Sequence, residues 1–491
     1  MRTRSRRWGA LPVLVAALGW PAASQSAPEV LAPNLAVRTA ASGLSQPIAV
    51  AFLGLNDMLV TEKASGKVQR VTNGVLTSTV LDLAVNSASE RGLLGIALHP
   101  SFPLNPRVYL YWSESSTGAD STGLGDVPLL GNRVDSFVWN GLTLTPDRNI
   151  IRIRALQADA GQPLRANHDG GVLRFGPDGK LYVVVGDLGR RGWLQNLRNG
   201  PFGPGIPDDQ FGGPEPDNAH LSGVILRLND DGTTPTDNPF FADGAMLGGE
   251  VGSNIQRIHA YGLRNSFGMA FDPKTGTLWE QENGDDSFSE LNIAAPGFNS
   301  GWIQIMGPPE RIGQFKAIET DPTAPQPFAA GGYFGLQQIR WSPVNIADTP
   351  AEALSRLVML GRNAHYSAPE LSWKFEVAPA GIGFVDGNAL GGQYDGDLFV
   401  GGARTFLEGG FIWHIAMNTN RNKRHKVGGN DPRLDDLVAD NVNKWEITES
   451  ESLLFGRNFG IATDVIQGPS GNLFVVSTDQ GAVYEIHRPR K

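Results

Sequence analysis

Six times along the chain, a turn built on Gly, Asn or Asp leads into an apolar, alternating stretch that stops at a polar or acidic residue. The copies are "LNDMLVTEKASGKVQRV" from Leu55, "NPRVYLYWSE" from Asn105, "DGKLYVVVGD" from Asp178, "TGTLWEQENGD" from Thr275, "DGDLFVGGA" from Asp395 and "SGNLFVVSTDQGAVYEI" from Ser470. A repeated unit of this size buries its apolar face only by stacking on its neighbours. Short strands that end at a similar polar boundary fit blades around a central channel lined by equivalent strands, with the following loops gathered on one face. The expected fold is therefore all-β, a six-bladed β-propeller with long inter-strand loop insertions. The 61 Gly and 33 Pro supply the turns that so many short strands require.

The copies are unevenly spaced, so insertions must separate them. One runs from Asp187 to Ser222, rich in Gly, Pro and Asp, and loops of that length are usually functional or disordered. Helical signals are scarce, and the best of them, "TPAEALSRLVMLGR" from Thr349 to Arg362, with a Thr cap and a Glu three residues on, reads as an inserted helix.

Residues 1–26 read as a secretory signal peptide, with an arginine-rich start, a short apolar run from about Gly9 to Trp20 and small residues around Ala22 to Ala27. That run is too short for a good membrane span and nothing later supplies one. Residues 27–491 are expected to form a single propeller, periplasmic or secreted after cleavage. The chain has no cysteine, which excludes disulfides, thiolate catalysis, Cys-ligated metals and haem attached through Cys-x-x-Cys-His. A net charge of −9, with "RNKRHK" at Arg421 to Lys426 as the only basic run, argues against nucleic acid as a partner.

His168 lies in "RANHDGGVLRFGPDGKLYVVVGD", Arg165 to Asp187, beside glycines at the entrance to a strand. It can bond its own turn or serve as a base. In the second case Asp187, which closes the same strand unit, fixes the tautomer and leaves the other ring nitrogen free. Arg264 and Asn265 precede a strand-like run and can donate to a carboxylate or quinone oxygen. Glu282, Asn283, Asp285 and Asp286 surround Gly284 in an oxygen-rich turn that either suits Ca²⁺ or is simply solvated.

"ERGLLGIALHPSF", "NHDGGVLRFGPDGKLYVVVGD", "SGVILRLNDDGTTPTDNPF", "YGLRNSFGMAFDP", "SELNI…GFNSGW" and "VIQGPSGNLFVVSTDQGAVYEI" occur in the order seen in the soluble glucose/sorbosone dehydrogenase family. The chain resembles that family from about Leu35 to Arg488. The resemblance implies a six-bladed propeller that holds pyrroloquinoline quinone (PQQ) and Ca²⁺ on one face and oxidises sugar hydroxyls. It implies His168 as general base, Asp187 as the residue that orients it, and Arg264 as the stabiliser of the reduced quinone oxygen. Asn265 matches the cofactor-binding neighbour of that arginine. Gly284 and Asp285 match the turn whose carbonyls hold Ca²⁺, although the family usually has proline at Asp285.

Several positions depart from the family. Glu90 stands where glutamine is frequent, Phe267 replaces another glutamine and Ser289 an aspartate. Arg404 is the nearest counterpart of a cofactor-binding lysine, and Ile461 and Thr463 stand where two arginines are frequent. Glu90, Arg264, Asn265, Arg404 and Thr463 are thus the expected cofactor contacts, with Arg190, Arg191, Arg404 and Arg457 as candidate replacements for the missing charge. The expected activity is oxidation of a sugar or sugar-like alcohol, with electrons passed to an external acceptor. A Ca²⁺-dependent, lactonase-like hydrolase and a non-catalytic propeller that binds glycans or partners are the alternatives.

Overall fold

Each of the six repeated stretches is the second strand of its own antiparallel sheet: Asp57–Glu62, Arg107–Ser113, Leu181–Val185, Leu278–Glu282, Leu398–Gly402 and Leu473–Ser477. The computed structural model describes residues 26–156, 164–189, 192–197, 221–320, 346–403, 409–417, 427–428 and 431–489. In it the six sheets form the blades of a β-propeller.

The channel is lined one strand earlier than the repeat suggested. The first strands of the blades, Pro47–Gly54, Leu93–Leu98, Leu173–Phe175, Gly268–Phe271, Pro379–Phe384 and Ala462–Gln467, touch one another in a closed ring. Space there is short. A Cβ added at Gly268 would meet the Ala380 carbonyl oxygen at 2.2 Å, and one at Gly383 would meet that of Val465 at 2.1 Å. The second strands are buried almost throughout because neighbouring blades cover both their faces, hence their strong apolar signal. Aromatic pairs fill the layers between blades, among them Trp373 with Trp413 at 5.5 Å and Trp279 edge-on to Phe384 at 6.2 Å.

The ring is latched by both ends of the chain. Ala36–Ala41 forms the outermost strand of the sixth blade, antiparallel to Ala482–His487, with Ala36 opposite His487.

The insertions carry more helix than expected. Phe241–Leu247 and Gly249–Ile255 lie between the third and fourth strands of the third blade, and Ile312–Glu319 in the long excursion of the fourth. The helix expected over Thr349 to Arg362 forms only at Pro350–Arg356. Thr349 caps it by accepting the Glu352 amide at 3.2 Å, and Leu357 then turns to ψ 140°, sending Leu357 and Val358 into the core. The leader up to residue 25, the run Arg421 to Lys426 and most of the Asp187 to Ser222 insertion lie outside the described residues. Among the described residues no helix is long and apolar enough to cross a membrane.

Candidate active site

In an antiparallel blade, the connection between second and third strands emerges on the same face as the link to the next blade. Those two kinds of loop supply every expected site residue that is described except Thr463, which lies in the first strand of the sixth blade. His168 precedes the first strand of the third blade and Asp187 follows its second strand. Arg264 and Asn265 link the third blade to the fourth, and Gly284–Asp285 joins Leu278–Glu282 to Ser287–Ile293. All of these but Asp187, which stands behind the His168 ring, line a cavity of about 400 Å³ to which the first strands of all six blades contribute.

His168 has φ 61°, a left-handed conformation that costs a side-chain-bearing residue of order 1–2 kcal/mol. Close packing holds it there, since a Cβ at Gly186 would lie 2.3 Å from the His168 carbonyl oxygen. The His168 amide donates to Glu90 Oε2 at 2.5 Å. The ring is fixed through Nδ1, 2.6 Å from Asp187 Oδ1. Asp187 also accepts the Gly189 amide on Oδ1 at 2.6 Å and Trp302 Nε1 on Oδ2 at 2.9 Å. A carboxylate so placed requires the proton on Nδ1, which leaves Nε2 as the lone-pair nitrogen of a ring that lines the cavity. The ring is thus held through Nδ1 with Nε2 left free, and the His168 amide is tied down separately by Glu90.

Arg264 is buried behind the same wall. Its Nη1 donates to the Asn283 and Gly284 carbonyls, both at 3.0 Å, and its Nη2 to Asp285 Oδ1 at 2.9 Å. Burial opposes its charge, but Asp285, Asp187, Glu319 and Glu376 outweigh that and hold its pKa above the ordinary arginine value. Its guanidinium carbon sits 5.5 Å from the Trp302 ring centroid. Trp302 thus couples Asp187 to Arg264. Sequence reasoning gave it no role, although it closes the quoted motif "GFNSGW".

The expected metal turn is placed differently from what Ca²⁺ requires. The Gly284 carbonyl already accepts Arg264 Nη1, and the Asp285 carbonyl accepts Lys444 Nζ at 2.8 Å. The described residues contain no group of three or more His, Cys, Asp or Glu arranged to hold a metal ion. Two cationic donors on the two expected ligands do not fit a divalent cation.

Of the expected cofactor contacts, Glu90, Arg264, Asn265 and Thr463 line the cavity, as does Phe267. Glu90 is occupied with the His168 amide, and the only proton of the Thr463 hydroxyl goes to the Ile48 carbonyl at 2.8 Å. Ser289 is structural, accepting the Val377 amide at 3.3 Å. Arg457 pairs with Glu29 along the outer strands of the fifth blade and does not line the cavity. Arg404, Arg190 and Arg191 lie outside the described residues.

Among the described residues, the cations that do line it are Lys63, Arg174 and Lys444, beside Arg264. Arg174 pairs across the channel with Asp464 at 2.7 Å. Lys63 donates to the Ser87 and Ser89 carbonyls at 3.2 and 2.8 Å. Burial lowers its pKa, countered by Glu90 and Asp169. Asn265 Oδ1 is buried with no hydrogen-bond partner among the described residues, an unmet acceptor that protein interiors rarely leave.

Comparison with known proteins places this geometry. The sequence model of the family described as Glucose / Sorbosone dehydrogenase matches residues 44–330. An uncharacterized protein of Synechocystis is 28% identical over 91% of this chain and 85% of its own length. Quinoprotein glucose dehydrogenase B of Acinetobacter calcoaceticus is 31% identical over 54% of this chain and 52% of its own. An aldose sugar dehydrogenase of Escherichia coli K12 is 25% identical over 89% and 88%. The apo structure of the soluble aldose sugar dehydrogenase of Escherichia coli shares the fold, with TM-score 0.59 at 23% identity over 93% of this chain and all of that one.

Proposed function

The chain belongs to the glucose/sorbosone dehydrogenase family, and from that premise we propose an exported quinoprotein that oxidises a hydroxyl of a sugar or sugar-like alcohol with PQQ. In this reading residues 27–491 are the mature propeller and 1–26 its leader. The observation that carries it is the convergence of the His168–Asp187 pair, Arg264 and Asn265 on one cavity that all six blades close.

The residues present fit a flat, multiply charged anion. Lys63 and Arg174 come from different blades, and among the described residues the hydrogen bonds of Lys63 go only to carbonyl oxygens. Asn265 Oδ1 awaits a donor. When bound, the quinone supplies the two-electron acceptor for the hydrogen that leaves the carbinol carbon with its electron pair. His168 Nε2 takes the hydroxyl proton as the carbonyl forms. Asp187 stabilises the imidazolium that results. Arg264 holds a fixed positive charge beside the site of developing negative charge. With no cysteine to attach haem, the electrons leave to an external acceptor. No step is assigned to Ca²⁺.

The test is a titration of purified apoprotein with PQQ, in EGTA and in CaCl₂, followed by bound-quinone absorbance and by dye reduction with a panel of aldoses. Saturable binding with sugar-dependent reduction is expected, and absence of binding in both buffers would sink the reading. Lys63→Ala should weaken PQQ binding about 10- to 100-fold, as the loss of one charge-assisted contact predicts, with an unchanged melting temperature. Trp302→Phe, which removes the indole donor to Asp187, should lower kcat about tenfold with KM nearly constant. A KM change of that size instead would mean that Trp302 contacts substrate.

A further inference from the structure

We propose that Lys444 provides, as a fixed ammonium, the positive charge that the family resemblance assigns to Ca²⁺, so that this chain binds its quinone without a divalent cation. The inference rests on the PQQ reading above for its ligand, and on the protein's own geometry for its charge.

Lys444 Nζ donates to the Asp285 carbonyl at 2.8 Å and to Asp286 Oδ1 at 2.6 Å, and lies 3.9 Å from Glu376 Oε2. Lys444 is 3% exposed, and it lines the cavity. These are the oxygen types that would ligate Ca²⁺, which needs six to eight of them at about 2.3–2.6 Å around one point. Here they converge on a nitrogen. The companion carbonyl of Gly284 is taken by Arg264 Nη1 at 3.0 Å, so a divalent ion at this turn would face two buried cations in a poorly screened interior.

The placement of Lys444 is imposed by the chain around it. Between the third and fourth strands of the fifth blade, the backbone crosses to the fourth blade. There Val438–Ala439 pairs in parallel with Ser372 and Trp373 of the outer strand. That direction carries it up to the cavity face. Asn441 grips the strand end through the Phe375 amide at 2.8 Å and carbonyl at 3.1 Å. The Trp445 amide donates to the Glu376 carbonyl at 2.7 Å, and the Glu376 amide to the Asp286 carbonyl at 3.1 Å. Trp445 Nε1 also donates to the Glu376 carboxylate. Lys444 therefore emerges from a stapled backbone directly over the Gly284–Asp285 turn.

Two measurements on the wild-type protein come first, and a Lys444 variant completes the test. PQQ affinity is measured by absorbance in EGTA and in CaCl₂, and CaCl₂ alone is titrated by calorimetry and by thermal shift. Equal PQQ affinity in both buffers is expected, with no Ca²⁺-dependent rise in melting temperature. Lys444→Met should bind PQQ at least about tenfold more weakly in EGTA, gain Ca²⁺ binding that wild type lacks, and recover both PQQ affinity and melting temperature when Ca²⁺ is added. Adding Asp286→Asn to that variant should abolish the gain. PQQ binding by wild type that requires Ca²⁺ overturns the inference and leaves the functional reading standing. If wild type binds no PQQ in either buffer, the functional reading fails. The calorimetry then judges the charge replacement alone: Ca²⁺ binding to Lys444→Met only upholds it, and equal binding to both proteins overturns it.

Discussion

Replacing His168 with asparagine is expected to slow sugar oxidation by about 10²- to 10⁴-fold, the usual range for loss of a general base, while PQQ binding stays close to wild type. Asparagine is the suitable replacement because His168 sits at φ 61°, where Asn is far better tolerated than Ala. The turn keeps its shape and its amide bond to Glu90, so only the imidazole is lost. Asp187→Asn should slow the reaction by a similar order through a different route. An amide nitrogen facing Nδ1 would donate to it, moving the ring proton to Nε2 and removing the lone pair that accepts the substrate proton. Single-turnover reduction of bound quinone, measured with saturating aldose, separates chemistry from substrate binding and from electron transfer to the dye. Oxidation by His168→Asn within tenfold of wild type would remove His168 from the chemistry and return it to its turn.

What the sequence made legible follows from how each part is buried. The six repeated strands stood out because they are sandwiched between blades and, Leu278–Glu282 apart, mostly apolar. The strands that line the channel did not. Leu173–Phe175 is only 3 residues long, and Gly268–Phe271 opens on a glycine required by close approach. His168 and Asp187 could be paired because a single hairpin, Leu173–Phe175 with Leu181–Val185, separates them in the chain. Lys63, Arg174 and Lys444 were not legible, because no local pattern says which of many surface-type cations a ring closure will turn inward. For Lys444 the deciding step is a parallel pairing between the insertion of the fifth blade and the edge of the fourth, a contact between segments about sixty residues apart in the sequence. The expected Ca²⁺ turn was read correctly as oxygen-rich, but its occupants come from those distant segments. Thr463 and Ile461 stand where the resemblance leads one to expect arginines, and left open where such charge would lie.

Thermal stability should fall as pH rises from about 6.5 to 8, opposite to the behaviour of a protein whose carboxylates are mostly paired. Four buried glutamates in and beside the fourth blade are the cause. Glu282 and Glu290 face each other across adjacent strands, as do Glu280 and Asn292, and the Asn292 amide donates to both Glu280 and Glu290, at 2.8 and 3.0 Å. Burial, then the neighbouring carboxylates, raises Glu290 to about 8 and Glu280 well above the ordinary range. Burial raises Glu282 to about 7 despite donors from Ser300 and the Arg264 amide. Glu319 is raised to about 8 by burial and by Asp285 and Asp286. In the unfolded chain all four release their protons near pH 4.5. Between that value and the folded pKa, the folded state therefore holds more protons than the unfolded one, and stability declines by about 1.4 kcal/mol per pH unit for each proton so held. Buried His259, whose pKa is lowered to about 4, acts in the opposite sense, but only below the unfolded value of about 6.5. Above that pH the glutamates act without this opposition, and a drop in melting temperature on the order of 5 °C is expected by pH 8. Glu280→Gln mimics the protonated acid, keeps an acceptor for Asn292 and should flatten the profile. A melting temperature that climbs over this window would mean that the glutamates are ionised in the folded protein, and that their charges are met by cations outside the described residues.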